Sequence, residues 1–216
     1  MSGPRRTIVK VCGLTRTEDA AFALACGADW LGFIVGAGGP RNIGAEGMAA
    51  ILAALPPGTV GVAVLADAEP AAALQLARRA GARRLQLHRT DASGWPADYP
   101  LPCAFVTRVD ATGAARGAIA PEPHLVHLDT AHATLLGGTG HTFPWEHARA
   151  LAGSRPFVLA GGLGPDNVAQ AIAATQPFGV DAASRLESAP GLKDHDKVRR
   201  FVAAVRECDA RERERA

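Results

Sequence analysis

A chain of 216 residues, 48% of them hydrophobic, is long enough to bury one sizeable core and reads as a single domain. Its 23 basic and 21 acidic residues leave a net charge of +2, which gives no strong pull toward nucleic acid or a membrane surface. No apolar run approaches the ~20 residues of a bilayer span, and the start, MSGPRRTIVK, lacks the long apolar run of a signal peptide.

The four cysteines, Cys12, Cys26, Cys103 and Cys208, are widely spaced with no CxxC, so neither a zinc site nor a disulfide framework is suggested. A reducing cytoplasm is the expected location. Short apolar runs alternate with helical patterns along the whole chain. Strands are expected near 7–12, 30–35, 59–65, 84–88, 103–108, 125–129, 157–161 and 179–183. Between them EDAAFALACG, AEGMAAILAAL, EPAAALQLARRAG, PDNVAQAIAAT and DKVRRFVAAVREC carry apolar residues at helical spacing. The crossovers 89–102 and 109–124 are rich in Gly, Pro and Ala and are expected to hold a turn of helix or none. The closing RECDARERERA reads as a solvated helix end that frays from about residue 206.

Eight apolar strands joined by crossovers imply a parallel sheet covered on both faces. Eight strands close into a (β/α)8 TIM barrel, and the length falls at the short end of that fold's ~200 to 400 residues. The alternative is an open doubly wound sheet; the CGLTRT that follows the first strand is not its glycine fingerprint.

Barrel chemistry collects where strands end. Cys12 ends the first strand; its plain reading is a small buried hydrophobe, and its sharper one a thiolate base beside the start of the next helix. Lys10, two residues earlier on the same inward face, reads first as a buried lysine paired with a carboxylate and second as a Schiff-base amine. His88 ends strand four. Asp129 ends HLVHLDT, where a carboxylate is costly without partners or a task. His127, two positions before it, reads as a satisfied core histidine. Gly161, Gly162 and Ser184 follow strands seven and eight, where bare backbone N–H groups form the fold's commonest phosphate site. Pro165-Asp166-Asn167 reads as the first turn of the next helix. Arg41, after GAGGP, is a surface arginine or a clamp for an anionic substrate. GGTG at 137–140 is a loop tip or a lid.

VKVCGLTRTEDA, LQLH, HLDT followed by GGTGHTFPW, LAGGLGPDNVAQAI and VDAASRLESAPGLKDHDKV together resemble the phosphoribosylanthranilate isomerase family of tryptophan biosynthesis, over about residues 8 to 205. The resemblance implies a cofactor-free (β/α)8 enzyme. It would perform the Amadori rearrangement of N-(5-phosphoribosyl)anthranilate to 1-(2-carboxyphenylamino)-1-deoxyribulose 5-phosphate. Cys12 falls on the family's general base, Asp129 on its general acid and Arg41 on the arginine facing the anthranilate carboxylate; Gly161, Gly162 and Ser184 fall in its phosphate loops. The acid and the base need opposite protonation states, which burial at Asp129 and the helix start after Cys12 are expected to supply.

The implied partner is a phosphorylated small-molecule substrate, with neither nucleic acid nor membrane, and the chain is expected as a monomer or homodimer. Several positions depart from the family pattern. Arg185 replaces a glycine after Ser184, so that it is either strained at positive φ or aimed into the phosphate site. LHG becomes Leu87-His88-Arg89, a lysine at the end of strand five becomes Thr107 with Arg108 beside it, and His141 and Pro144 replace lysine and aspartate. These changes leave open a divergent paralogue acting on a related phosphorylated amino sugar, or a non-catalytic barrel that binds a phosphate ligand.

Overall fold

The computed structural model describes residues 6–36, 38–110, 112–130 and 145–215. The GGTG segment, His141 and Pro144 lie outside the described residues. β1 (Ile8–Cys12) leads into α1 (Thr17–Cys26), β2 (Trp30–Gly36) into α2 (Gly44–Ala53), and β3 (Val60–Ala66) into α3 (Pro70–Ala80). β4 (Arg84–His88) reaches β5 (Cys103–Val109) through a single 3-10 turn at Ala92–Gly94, and β6 (Ala115–Arg116) folds back antiparallel on β5. Then follow β7 (Leu125–Thr130), α4 (Trp145–Ala152), β8 (Phe157–Ala160), α5 (Val168–Thr175) and β9 (Gly179–Ala182). A hairpin of β10 (Glu187–Ala189) and β11 (Leu192–Lys193) precedes α6 (His195–Arg215).

Eight strands pair in parallel in the order β4-β3-β2-β1-β9-β8-β7-β5, and β4 pairs with β5 to close the ring. The sheet is thus the expected (β/α)8 barrel and not the open alternative. Alternation along each strand builds it. Val9 and Val11 of β1 pack outward with Leu31, Phe33, Leu85 and Leu128 against α-helical residues such as Ala20, Met48, Ala77 and Phe201. The interleaved residues turn inward. Trp30, Val62 and Val158, with Ile8, Val60, Leu125 and Phe178, form a separate apolar cluster at the strand N-termini. Arg84 lies over the Trp30 ring at 4.3 Å. Above this plug the interior turns polar, with Lys10, Gln86, His127 and Asp181 all buried. A closed lower end and a polar layer above it leave the C-terminal mouth as the place where a ligand can enter.

Three features differ from the sequence expectation. Helix α4 was not foreseen among the helical patterns. Pro165 precedes α5 instead of opening it; the helix begins at Val168, with Asn167 at its cap. And α6 does not fray from residue 206. It runs to Arg215, and Arg206 donates to the carbonyls of Thr7 (2.7 Å) and Gly27 (2.9 Å) and pairs with Asp29 at 2.8 Å. Asp209, only 1% exposed, accepts from the Thr7 backbone N–H. The charged run concealed two residues that fasten the last helix to the first strand. Among the described residues no helix is long and apolar enough to cross a membrane.

Candidate active site

A cavity of about 300 Å³ opens at the C-terminal ends of the strands. Cys12 comes to it from β1, His88 from β4, Asp129 from β7, Gly161 and Gly162 from the turn after β8, Ser184 from the turn after β9, and Arg41 from the loop after β2. Seven of the eight site residues expected from sequence therefore face one cavity, and the eighth, Arg185, does not. Gln86, His127 and Asp181 also line it, and the sequence reading gave none of them a place in the site. Two other recesses, of about 410 and 480 Å³, border the loop that starts at Arg89. Their charged groups are exposed, as in the Asp67–Arg89 pair, and no thiol lines them.

Lys10 is a buried lysine held by a carboxylate. Its Nζ donates to Asp181 Oδ2 at 2.7 Å, and the two are register partners on adjacent strands. The same Oδ2 lies 3.4 Å from His127 Nε2. Asp181 Oδ1 and Gln86 Oε1, on residues that line the cavity, are buried acceptors with no hydrogen-bond partner among the described residues. Burial pushes the Cys12 thiol up, and the charges acting against that rise are Lys10 and, more weakly, Lys193. The net direction is upward, contrary to the expectation of a thiol acidified by the following helix. Helix α1 begins only at Thr17, and its first turn carries the acidic Glu18 and Asp19.

His88 is pulled down to about 4, by burial first and then by Lys10. His127 is pulled well below the ordinary histidine value by burial, with Lys10 again adding. Both rings are neutral at pH 7, and His88 Nε2 sits 3.0 Å from Gln86 Nε2 as that amide's acceptor. A histidine lowered on folding stabilises the protein fully above its unfolded value of ~6.5 and loses that contribution as pH falls toward the folded value. His88 alone predicts a loss of about 3 kcal/mol between about pH 6.5 and 4. Urea midpoints across that range check it, and a His88→Gln variant should show a shallower decline.

The recess beside the turn after β8 is set by backbone. Gly161 has φ +95°, and a Cβ there would lie 2.1 Å from the Thr130 carbonyl oxygen. Thr130 in turn donates from Oγ1 to the carbonyl of Ala160 at 2.9 Å, which binds the end of β7 to the turn. Asn167 accepts from the Gly164 N–H (2.8 Å) and donates to the Gly162 carbonyl (3.0 Å), so one side chain shapes the whole turn. Gly161→Ala is expected to cost about 2–4 kcal/mol, from a disallowed backbone and a clash that cannot relax. Equilibrium unfolding measures this, and the affinity for inorganic phosphate should fall with it.

Arg185 is not strained at positive φ, and its side chain lies against Gly164 of this turn without lining the cavity. It lies in the 3-10 turn Ser184–Leu186, is absent from the positive-φ residues, and its guanidinium is 3.8 Å from Asp166. Arg89 does carry the strain that glycine would avoid, at φ +49°, and is paired with Asp67, itself at φ +51°. On β5, Thr107 faces outward and donates to the Ala118 carbonyl, whereas Arg108 pairs in register with Asp129 and acts electrostatically on His88. The cation that β5 offers the mouth is therefore Arg108.

Arg41 is tied from behind. Its Nε and Nη2 donate to the two carboxylate oxygens of Glu187 at 2.9 and 2.6 Å, and Lys193 Nζ donates to the same carboxylate at 2.9 Å. Glu187 and Lys193 come from the β10–β11 hairpin, which the strand pattern did not reveal. Burial pulls the Lys193 ammonium down, while the Glu187 carboxylate, raised by burial, is brought below its ordinary value by Arg41 and Lys193. The two directions oppose each other. The pair is ionised at neutral pH, because two cations hold Glu187 and the Lys193 ammonium has acceptors on both Glu187 and the Ala183 carbonyl.

A closed barrel whose rim gathers a thiol, a carboxylate, a guanidinium and a glycine-lined turn has the makings of an acid–base enzyme for an anionic sugar derivative. The sequence model of N-(5'phosphoribosyl)anthranilate (PRA) isomerase matches residues 9–204. An N-(5'-phosphoribosyl)anthranilate isomerase from Geobacter sp. (strain M21) is 42% identical over 93% of this chain and 98% of its own. The phosphoribosyl anthranilate isomerase of Thermus thermophilus superposes with a TM-score of 0.77 at 33% identity, over 93% of this chain and 99% of that one. A phosphoribosyl anthranilate isomerase in complex with reduced 1-(o-carboxyphenylamino)-1-deoxyribulose 5-phosphate superposes at 0.73 and 29% identity, over 93% of this chain and 99% of that one. This chain belongs to the N-(5'-phosphoribosyl)anthranilate isomerase family.

Proposed function

We propose that Cys12 and Asp129 carry the proton transfers by which this chain, as a member of its family, converts N-(5'-phosphoribosyl)anthranilate to 1-(2-carboxyphenylamino)-1-deoxyribulose 5-phosphate in tryptophan biosynthesis. The observation that carries the assignment is their common cavity, walled by Arg41 on one side and Gly161, Gly162 and Ser184 on another. The Asp129 carboxylic acid gives its proton to the ribose ring oxygen as the C1′–O bond breaks, leaving an iminium at C1′. That positive charge acidifies the C2′–H, and the Cys12 thiolate removes it to give an enolamine. Tautomerisation adds a proton at C1′ from the Cys12 thiol and releases the C2′ hydroxyl proton to Asp129, which restores both groups. Each such transfer by a positioned side chain contributes ~10²- to 10⁴-fold.

The remaining walls suit the rest of the substrate. The backbone around Gly161, Gly162 and Ser184 takes the phosphate. The unpartnered acceptors Asp181 Oδ1 and Gln86 Oε1 take sugar hydroxyls. Glu187 occupies the Nε–Nη2 edge of Arg41, so the opposite edge of the guanidinium meets the anthranilate carboxylate. The neutral state of His88 and His127 keeps two further cations away from the iminium. The chain works in the cytoplasm, as a monomer or homodimer. Decay of anthranilate-ribosyl fluorescence on adding purified protein tests the reading, and a fluorescence trace that stays flat at saturating substrate overturns it.

A further inference from the structure

We propose that Lys10 is a positioning residue that sets the ionisation of Cys12, and that Gly32 provides the space in which the two side chains meet. The inference rests on the reading of Cys12 as the base and adds a group that stands behind it. Lys10 is 1% exposed and does not line the cavity, so it reaches substrate only through another residue. Cys12 lines the cavity and is two residues further along the same inward face of β1.

Gly32, paired in register with Cys12, shows how close the two are. A Cβ at Gly32 would lie 2.7 Å from Cys12 Sγ and 2.9 Å from Lys10 Nζ. Sulfur and ammonium thus converge on one methyl-sized volume. Gly32 is in the middle of β2 and is not among the positive-φ glycines, so its backbone does not require glycine. A glycine inside a strand weakens it and marks a close approach, and here what approaches is the Lys10–Cys12 pair.

The charges around the sulfur form a balance. Lys10 acts from β1, Lys193 from β11 and Arg41 from the loop after β2, all favouring thiolate. Asp181 acts from β9 against it, while it also holds Lys10 in place at 2.7 Å. His88, His127 and Asp129 line the same cavity. Lys10 is the largest influence opposing the burial of the thiol. Its own ammonium, pulled down by burial, is raised overall by Asp181 and Cys12. A lysine that stays charged while fully buried provides a fixed cation that water cannot screen, directly behind the base.

The test is the rate of Cys12 alkylation by iodoacetamide across about pH 6 to 10, read on the Cys12 peptide by mass spectrometry. In Lys10→Met the midpoint should rise by at least about one unit, which is a tenfold loss of thiolate below it. In Asp181→Asn the midpoint should fall. The acidic limb of kcat should move in the same two directions, with KM little changed in Lys10→Met, a position that does not line the cavity. A folded Lys10→Met protein with an unshifted midpoint overturns the proposal. Should Lys10→Met fail to fold because Asp181 is left unpaired, the Lys10→Met/Asp181→Asn double variant, which leaves neither charge unpaired, decides: its midpoint should lie above that of Asp181→Asn alone, and an equal midpoint overturns the proposal. Turnover by Cys12→Ser is a separate outcome: full activity there removes the base assignment, whereas the alkylation shifts report on Lys10 regardless.

Discussion

Cys12→Ser is expected to lower kcat on N-(5'-phosphoribosyl)anthranilate by ~10²- to 10⁴-fold with KM nearly unchanged, and Asp129→Ala to do the same. Serine keeps the shape of the side chain and removes its basicity, so substrate still binds while C2′ deprotonation slows. Alanine at 129 removes the donor to the ring oxygen and leaves the phosphate and carboxylate anchors in place. In the proposed mechanism the two groups, which line one cavity, act on consecutive steps for one substrate. The double variant should therefore lose much less than the product of the single losses. Steady-state fluorescence decay for the three variants checks all of this, and undiminished kcat in either single variant removes that residue's role.

The largest expected effect on stability belongs to a residue outside the chemistry. Glu187→Ala should cost about 3–5 kcal/mol, the usual penalty for breaking a buried ion pair from one side. Glu187 has a side chain 4% exposed, and the Lys193 side chain it neutralises is 0% exposed. Truncation leaves a buried ammonium with only the Ala183 carbonyl, and leaves Arg41 without its two-point anchor. Urea unfolding should show a lower midpoint at unchanged slope, and KM should rise because the guanidinium is no longer oriented. The pH dependence has a definite sign. A carboxylate held low on folding contributes its stability above the unfolded value of ~4.3 and loses it as pH falls through the folded one. The wild-type protein should therefore lose this contribution below about pH 4, and Glu187→Ala should not show that loss. A midpoint within error of wild type at pH 7 would mean that Lys193 finds other partners.

All eight barrel strands were legible because each is a short apolar run, and their count and the crossovers between them announced closure. Cys12, His88 and Asp129 were legible for a related reason: each ends such a run, and strand ends on one side of a barrel share one rim. Gly161, Gly162, Ser184 and Arg41 were found as loop residues after specific strands, and each lines the cavity. Their roles entered through the resemblance.

What the linear pattern concealed has a common physical origin. Glu187, Lys193, Arg206 and Asp209 read as ordinary charges on a polar segment, and only their partners bury them. One partner of Glu187, Arg41, is 146 positions away and one of Asp209, the Thr7 N–H, is 202 away, distances at which no local periodicity carries information. Which of Thr107 and Arg108 faces the mouth was not legible, because strand phase on β5 is set by its register with Asp129 on β7.

The sequence by itself determined the barrel and the positions where chemistry could collect, since hydrophobic alternation and strand ends are local properties of the chain. Only the tertiary structure decided the charge on each of those groups. A thiol's ionisation, a histidine's neutrality and a guanidinium's orientation depend on which distant cation or carboxylate burial places within a few ångströms.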